Sequence, residues 1–444
     1  MSLTFACIAD DDTGATDIAG MLGAQGMRTL VVLDGASPDE SRTWAESNDA
    51  LIFATGTRAL CRDDAYRKTR QAIESVRAFN PKVVGIKYCS TFDSTAEGNI
   101  GPSIDAAMDA LGSKFTVAVP ALPVNGRTTY MGHHFVGAQL LSDSSMRHHP
   151  LNPMTNSNLV SHLQSQTSRR VGLAAHPAVR GGACSLAQQL KDLEMSGIEI
   201  AIVDCISDED LATIAEAIAV MPLITGSSGP AITLPDQWRR LGYLRKDKQG
   251  PSQPETLHTE HGSLIVSGSC SQATLAQCRV LKEHGVPSLE LRSTDLLMED
   301  FDQSAVVKQA VGLLQAGRDV LITTTTDAAG VREAQQWAEA NGLNATSAGL
   351  RISRRLGSLT REILDQTVPR GVVLAGGETS TIICRTVGLK ALSVRHNIVP
   401  GVPLCVSATE PRVPIVLKSG NFGGDEFFPQ AISAIRALAA QVAK

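Results

Sequence analysis

The segment that decides the fold is Phe5-Ala6-Cys7-Ile8-Ala9-Asp10-Asp11-Asp12-Thr13-Gly14-Ala15, which leads into a helical pattern over residues 16–25. Its first five residues are small or apolar and form a run that is typical of a strand buried on both faces. Three carboxylates and a glycine follow at once, where the chain has to turn. A buried strand, a polar turn and a helix in that order predict the first unit of an α/β fold.

Short apolar runs and helical patterns alternate along the rest of the chain. Further strands are predicted at residues 28–33, 50–54, 83–86, 116–119, 198–203, 263–266, 320–323, 372–375 and 414–417, and further helices at 63–79, 100–111, 211–220, 273–283 and 351–364. Near-continuous apolar strands between helices indicate mainly parallel sheets covered on both faces. The polar segment 246–261 has two prolines, a glycine and no apolar period, so it is predicted to link two α/β domains, residues 1–245 and 262–444.

The composition excludes several classes of protein. The chain has 444 residues, of which 43% are hydrophobic and 19% charged, and a formal net charge of −5, so neither a membrane nor a nucleic acid is an expected partner. The N-terminus lacks the features of a signal peptide, and no apolar run approaches the length of a membrane span. Nine cysteines are scattered without a C-x-x-C pair, which indicates a reducing compartment, and the cytoplasm is expected.

Four loops that follow predicted strands of the first domain are polar. Asp10, Asp11 and Asp12 repel one another unless a metal, a hydroxyl-rich ligand or helix-start amides offset their charge, although Asp12 or Thr13 could simply cap a helix. The second loop, after residues 50–54, delivers Arg58, which alone would more often be a surface ion-pair partner.

The third loop, Lys87-Tyr88-Cys89-Ser90-Thr91-Phe92-Asp93, supplies a cation, hydroxyls and a carboxylate. In the fourth, the Asn125-Gly126 turn presents Arg127. Ligands of open α/β sheets lie beyond the carboxyl ends of the strands. The four loops together therefore predict a pocket for a small polyhydroxy anion.

Three small-residue loops in the second domain indicate a phosphate or nucleotide site. They are Ser267-Gly268-Ser269-Cys270-Ser271, Gly376-Gly377-Glu378-Thr379-Ser380 and Lys418-Ser419-Gly420. Each follows a predicted strand, and backbone amides at such turns can bind a phosphate. No zinc site is expected, because the adjacent histidines at 133–134 and 148–149 would point to opposite faces of an extended chain.

These segments resemble the four-carbon acid sugar kinases, a family also known as DUF1537. The resemblance is carried by Ile8–Asp17, Lys87–Thr95, Pro120–Thr128, Met146–Thr155, Ser267–Gln272, Ala375–Ser380 and Leu417–Gly423, which together reach over nearly the whole chain. Asp12 is a departure, since the family usually has an aromatic residue there, and it leaves open which aspartate faces the substrate.

The resemblance implies an N-terminal acid-sugar domain, a C-terminal ATP domain and an active site in the cleft between them. It implies transfer of the γ-phosphoryl group of ATP, with Mg²⁺, to the 4-hydroxyl of a four-carbon sugar acid. A 3-oxo-tetronate is the expected substrate, with threonate or erythronate as alternatives. Domain closure is expected to exclude water.

The expected catalytic carboxylate is Asp11, with Asp93 as the second choice, and either could instead hold a substrate hydroxyl. Arg58, Lys87 and Arg127 are expected to bind the substrate carboxylate, with Asp10 and Ser90 as further substrate contacts. The residues expected to contact ATP are Ser267, Ser269, Gly376, Gly377, Glu378, Thr379 and Gly420.

Two other classes of function stay open. A metal-dependent lyase or isomerase of sugar acids could use the same N-terminal pocket, but it would leave the three loops of the second domain unexplained. A non-catalytic metabolite sensor would need neither the acid cluster nor a nucleotide-like domain. The expected partners are thus a small sugar acid and ATP, and a homo-oligomer is left open.

Overall fold

The structure, a computed structural model, describes residues 3–33, 36–58, 60–148, 152–245, 256–257, 260–324, 328–420 and 422–442. The chain forms two compact units, residues 1–32 with 37–250 and residues 33–36 with 251–444. Most of the predicted linker, residues 246–261, lies outside the described residues.

The first unit is built on a sheet of eight parallel strands. Its elements are β1 (Phe5–Ala9), α1 (Asp12–Ala24), β2 (Thr29–Val32), α2 (Pro38–Ser47), β3 (Ala50–Ala54), α3 (Arg62–Arg77), β4 (Val83–Lys87), α4 (Ile100–Leu111), β5 (Thr116–Val119), β6 (Arg127–Tyr130), β7 (His133–Val136), β8 (Gln139–Leu140), α5 (Leu159–Gln164), β9 (Val171–Ala174), α6 (His176–Arg180), α7 (Ala183–Met195), β10 (Ile200–Val203), α8 (Asp208–Ile218), β11 (Leu223–Gly226) and α9 (Leu234–Arg240). The strand order is β2-β3-β1-β4-β11-β5-β10-β9, and β6-β7-β8 form a separate antiparallel sheet.

The second unit has a mainly parallel sheet with an antiparallel side. Its elements are β12 (Leu264–Ser267), α10 (Gln272–Glu283), β13 (Ser288–Leu291), α11 (Ser293–Leu297), α12 (Ser304–Gln315), β14 (Val320–Thr324), α13 (Ala328–Ala340), α14 (Ala345–Gln366), β15 (Val372–Ala375), α15 (Gly377–Thr386), β16 (Ala391–Val399), β17 (Val402–Ser407), β18 (Pro414–Lys418) and α16 (Phe427–Val442). The order is β13-β14-β12-β15-β18-β17-β16, in which β17 pairs antiparallel with both β16 and β18 and the strands from β13 to β18 pair parallel.

Continuous apolar sequence produces the central strands, because both faces of each sheet are covered. Every residue of β1, β4, β5, β12, β15 and β18 is buried. In the second unit, Phe427 and Phe428 of α16 pack on Ile265, Leu321 and Val416 of the sheet. The predicted fold class, α/β with mainly parallel sheets, is confirmed in each unit.

The predicted start of the first helix was wrong by four residues. The pattern predicted a helix over residues 16–25, whereas α1 begins at Asp12 because the Asp11 carboxylate accepts the backbone N–H of Gly14 and caps it. The cap predicted at Asp12 or Thr13 is therefore at Asp11.

No helix in the described ranges combines the length and the apolar character needed to cross a membrane. All nine cysteines are free thiols.

Candidate functional site

The first unit brings its polar loops together at the point where the strand order reverses. From β1 the chain runs to β2 and then to β3, which both lie on one side of β1. It then crosses to β4 on the other side of β1. Such a switch point leaves a crevice beyond the carboxyl ends of the two central strands, where ligands of open α/β sheets bind. Asp10 and Asp11 follow β1 there, and Lys87 is the last residue of β4.

Arg58 is bound by the first two aspartates of the acidic loop. Its Nε and Nη2 donate to the Asp10 carboxylate, both at 2.8 Å, and its Nη1 and Nη2 donate to the Asp11 carboxylate at 2.9 and 2.7 Å. Four of its five N–H groups are thereby used. A fork with this geometry fixes two carboxylates side by side, so Arg58 offsets the repulsion that the sequence predicted among the acids.

The Asp11 carboxylate has little capacity left to accept a proton. Besides Arg58, it accepts the Thr13 hydroxyl at 2.7 Å and the Gly14 backbone N–H at 2.8 Å. Burial alone would raise its pKa, but the charges of Arg58 and Lys87 and these two hydrogen bonds lower it. A low pKa weakens a general base. The geometry therefore favours a holding role for Asp11 over the predicted role of base.

Lys87 is buried but keeps donors for a ligand. Its side chain is 4% exposed, and its one ion pair among the described residues is with Asp17 of α1, at 3.6 Å. Burial opposes its charge, yet the carboxylates of Asp17, Asp11 and Asp10 outweigh it and raise the pKa of Lys87. The ammonium is therefore charged at neutral pH. It lies so close to α1 that a Cβ at Gly14 would be 2.7 Å from its Nζ and 2.3 Å from Asp11 Oδ1.

The loop after β4 is held by a neutral histidine of the small antiparallel sheet. His134 Nε2 donates to the Ser90 carbonyl at 2.7 Å, so Nδ1 accepts the Thr129 hydroxyl at 3.0 Å. Burial lowers the pKa of His134 to about 4, which keeps the ring uncharged. Phe92 has a φ of 53°, and Asp93 beside it is buried. A bulky residue in the left-handed region is a strained conformation that clusters at functional loops.

Arg127 stands at the start of β6, where its backbone is fixed as predicted. Leu122 and Arg127 exchange both of their backbone hydrogen bonds, at 2.8 and 3.1 Å, and Gly126 turns the chain with a φ of 68°. The guanidinium donates from Nη1 to the Asn125 carbonyl, whereas its buried Nε has no hydrogen-bond partner among the described residues. The Nε–H of Arg127 is thus a buried donor that no described group accepts.

A cavity of about 780 Å³ opens beside these loops. Arg58, Arg62, Thr95, Gly98 and Asn152 are among the residues that line it. Most of its lining residues belong to the loops after β3 and β4, so it lies at the carboxyl edge of the sheet. The structure brings the Asp10, Asp11 and Arg58 side chains into direct contact, and the Asp10 backbone N–H donates to the Lys87 carbonyl at 3.0 Å. His134 of β7, the strand paired with β6, joins this small sheet to the Ser90 carbonyl.

Three buried polar residues of this region were missed by sequence reasoning. Asp17 is the ion-pair partner of Lys87, and its Oδ1 has no hydrogen-bond partner among the described residues. Both polar atoms of the Asn99 amide likewise lack a partner in the part of the chain that the structure describes, and Asn99 borders a small cavity together with Asp10 and Lys87. Ser228 follows β11 and its hydroxyl lowers the pKa of Asp17, which burial raises overall. Only the Gly226-Ser227-Ser228-Gly229 pattern after an apolar run could have signalled the last of these.

The three loops of the second unit converge at its own switch point, between β12 and β15. The residues touch so closely that side chains are excluded: a Cβ at Gly268 would lie 2.6 Å from Thr379 Oγ1, and a Cβ at Gly420 would lie 2.8 Å from Ser269 Oγ. Gly376, with a φ of 120°, packs on Ser269 and is the N-cap residue of α15.

Ser267, Gly377 and Glu378 belong to the same loops. Ser267 ends β12 with a buried hydroxyl, and Gly377 and Glu378 open α15. Burial raises the pKa of the Glu378 carboxyl. Amides at a helix start beside small hydroxyl side chains form a surface that can bind a phosphate. Within the described ranges, no three His, Cys, Asp or Glu side chains are grouped as a metal site.

Comparison with known proteins matches two separate parts of the chain to two family models. Residues 5–234 match a family model described as a sugar-binding N-terminal domain, and residues 264–428 match one described as a nucleotide-binding C-terminal domain. A Pseudomonas fluorescens protein named 3-oxo-tetronate kinase is 40% identical over 430 residues, which cover 97% of this chain and 96% of that protein.

Two solved structures are similar over their whole length. One, from Salmonella typhimurium LT2, has a TM-score of 0.81 and 32% identity and covers 96% of this chain and 98% of its own. The other, a DUF1537 protein from Haemophilus influenzae, has a TM-score of 0.73 and 30% identity and covers 97% of this chain and 100% of its own. The chain belongs to the four-carbon acid sugar kinase family, DUF1537.

Proposed function

We propose that the chain is an ATP-dependent kinase that phosphorylates the 4-hydroxyl of a four-carbon sugar acid, with 3-oxo-tetronate as the first candidate. The observation that carries this proposal is the 40% identity, over nearly the full length of both chains, to a protein named 3-oxo-tetronate kinase. The charged crevice of the first unit and the converging loops of the second support it independently. Residues 1–245 would then bind the acid, and residues 262–444 the nucleotide.

The substrate carboxylate would be bound by Lys87 and Arg127. Among the described residues, Lys87 is charged and makes one ion pair, at 3.6 Å, and no group accepts the Nε–H of Arg127. Arg58 would instead hold Asp10 and Asp11 side by side, and the Asp10 carboxylate could accept hydrogen bonds from substrate hydroxyls. This division revises the expectation that all three cations bind the substrate. Ser90, whose backbone His134 holds, would contribute a further hydroxyl contact.

The general base would be Asp93 rather than Asp11, because the Asp11 carboxylate is saturated and its pKa is lowered. Asp11→Asn and Asp93→Asn decide the matter. Loss of a general base lowers turnover by about 10²-fold or more. We expect that loss from Asp93→Asn with ATP affinity kept, and a larger effect of Asp11→Asn on the Michaelis constant of the acid than on turnover. The opposite pattern would return the base to Asp11.

ATP would be bound by Ser267 or Ser269, the segment from Gly376 to Thr379, and Gly420. Mg²⁺ is usually bound through one or two carboxylates together with phosphates and water. Glu378 is the one carboxylate in these three loops, and it fits that pattern. When bound, the ion would offset phosphate charge. The protein's own contribution would be to bring the 4-hydroxyl in line with the γ-phosphate and to keep both reactants oriented.

The test is ADP release from ATP in the presence of four-carbon acids, each at the same concentration, with a neutral four-carbon sugar as control. We expect the highest kcat/KM with a 3-oxo-tetronate. Highest activity with threonate or erythronate would change the substrate but keep the class. Acid consumption without ADP release would identify a lyase or isomerase, and binding without turnover would identify a sensor.

The nine free cysteines support a reducing compartment such as the cytoplasm.

A further inference from the structure

Lys418 lies directly under the nucleotide loops of the second unit. It is the last residue of β18 and pairs with Ala375, the last residue of β15. Its side chain is completely buried. The ammonium donates to the Thr274 hydroxyl at 2.9 Å, the Ser419 carbonyl at 3.0 Å and the Gly420 carbonyl at 2.9 Å. An ammonium has three N–H donors, so all of them are used inside the protein.

The Gly420 carbonyl is the centre of this network. It accepts the Ser271 hydroxyl at 2.6 Å and the Thr274 hydroxyl at 2.8 Å in addition to the ammonium. Ser271 caps α10 and Thr274 lies in its first turn. The other side of Gly420 faces Ser269, so closely that a Cβ would meet Ser269 Oγ at 2.8 Å. The position of the Gly420 turn therefore sets the distance between two of the three loops.

We propose that Lys418 is a positioning residue of the nucleotide site, which fixes the Gly420 turn against the start of α10 instead of binding a phosphate itself. This inference rests on the proposed function. A lysine beside a glycine turn would ordinarily be interpreted as a phosphate ligand. Here a phosphate could take an N–H only by breaking a bond to Thr274, Ser419 or Gly420, and the side chain offers no exposed surface.

The surroundings of the ammonium are neutral. Its three acceptors are uncharged, the Phe427 ring of α16 lies 5.9 Å away, and the facing titratable group is the Cys278 thiol of α10, near Lys282 of the same helix. Burial lowers the pKa of Lys418 to about 8. Above that pH a neutral amine has two N–H donors for three acceptors, so the clamp loses a bond and its charge.

The experiment measures ATP binding to the full chain by calorimetry without a sugar acid. Lys418→Met should raise the dissociation constant for ATP by about tenfold or more, because a small displacement of a binding loop has effects of this order or larger. Thr274→Val, which removes one hydroxyl of the network, should raise it several-fold. The controls are Thr360→Val, a buried threonine on α14 that bonds to the Leu356 carbonyl, and the exposed Lys308→Met on α12, and both should bind as the wild type does.

Michaelis constants and the pH dependence of ATP affinity are two further measurements that a general loss of stability would not change. The Michaelis constant for ATP should rise in Lys418→Met while that for the acid stays unchanged. Between pH 7.5 and 9.5 the ATP affinity of the wild type should fall by a larger factor than the ATP affinity of Lys418→Met. If Lys418→Met does not fold, Thr274→Val carries the test.

The outcomes separate the inference from the function on which it rests. If the wild type does not bind ATP, the proposed function and the inference about Lys418 are both wrong. If the wild type binds ATP and Lys418→Met binds equally well, only the inference falls. If Lys418→Met abolishes binding while Thr274→Val has no effect, the lysine touches the phosphate and the positioning role is wrong.

Discussion

Lys87 and Lys418 are the same residue in the same place of two sheets, and they have opposite surroundings. Each ends a buried parallel strand at the carboxyl edge of its sheet, β4 in the first unit and β18 in the second. Each is buried. Lys87 faces three carboxylates, which raise its pKa, whereas Lys418 faces a hydroxyl and two carbonyls, and burial lowers its pKa.

This comparison shows that the position of a lysine at the end of a strand does not by itself determine its role. At Lys87 the ammonium offsets buried carboxylates, and under the proposed function it would also donate N–H groups to the substrate carboxylate. At Lys418 it is needed for geometry, since its three bonds hold a turn. The number of carboxylates within reach decides between the two, and that number depends on residues distant in sequence.

The largest expected effect comes from removing each charge. Lys87→Met should lower the unfolding free energy of the first unit by about 3–5 kcal/mol at pH 7, because it leaves buried carboxylates uncompensated. Lys418→Met should change the unfolding free energy of the second unit by less than about 1 kcal/mol, because no opposite charge is left behind. Hydrogen exchange of amides in β1 and β4, compared with β15 and β18, measures both units in one experiment. Equal losses in the two units would remove the distinction.

Arg127→Lys sharpens the role of charge in the first unit. A guanidinium grips a carboxylate with two parallel bonds that lysine cannot reproduce, so the change should cost about 2–4 kcal/mol in acid binding. The Michaelis constant of the acid should rise and that of ATP should stay constant. A lower melting temperature with an unchanged ratio of acid to neutral-sugar activity would instead make Arg127 a structural residue.

Gly14→Ala tests how tightly the charges around Lys87 are packed. The new methyl group would overlap Asp11 Oδ1 and Lys87 Nζ, and both are held by other bonds, so they cannot move freely. We expect acid-dependent kcat/KM to fall by about 10²-fold, or about 2.7 kcal/mol. Gly312→Ala on α12 is the matched control, since nothing lies within 4 Å of the added carbon, and it should keep activity and gain up to about 1 kcal/mol in stability. A Gly14→Ala enzyme with normal activity would contradict the packed geometry.

The apolar runs were sufficient to predict most central strands of the two sheets, because such strands are covered on both faces. Residues 50–54, 116–119 and 372–375 are β3, β5 and β15 with the same bounds. The strands that were missed are the central strand β11, the edge strands β9 and β13, the antiparallel pair β16 and β17, and the small sheet β6-β7-β8. β9 reads Val-Gly-Leu-Ala and is only partly buried, so its pattern is weak.

The grouping of the polar residues at one edge of the first sheet was predictable, but the pairing among them was not. Asp10, Asp11, Arg58 and Lys87 do lie together, because parallel strands end at one edge. Nothing in the order of residues indicates that Arg58, 47 positions after Asp11, bonds to two aspartates. Asp17 escaped notice because it looks like an ordinary polar residue of α1, and its importance comes only from the approach of β4.

The smallest expected effect separates the two lysines by pH. The pKa of Lys418 is lowered to about 8 in the folded chain, against an ordinary value of about 10.4 in the unfolded chain. Between these values the unfolded state binds more protons, so the contribution of Lys418 to stability rises with pH. For Lys87 the folded pKa is raised, so its contribution is complete below its ordinary pKa and is lost only as pH rises through the folded value.

From pH 7.5 to 9.5 the wild type should therefore gain about 1–2 kcal/mol relative to Lys418→Met in urea denaturation. Burial raises the pKa of the Cys278 thiol, which is present in both proteins, and the charge of Lys418 opposes that rise. ATP affinity should fall over the same interval, because the clamp on Gly420 weakens as its charge is lost. Stability and nucleotide binding would then change in opposite directions with pH, which a residue that only supports the fold cannot produce. A parallel fall of both quantities would mean that the Lys418 ammonium stabilises the second unit as Lys87 stabilises the first.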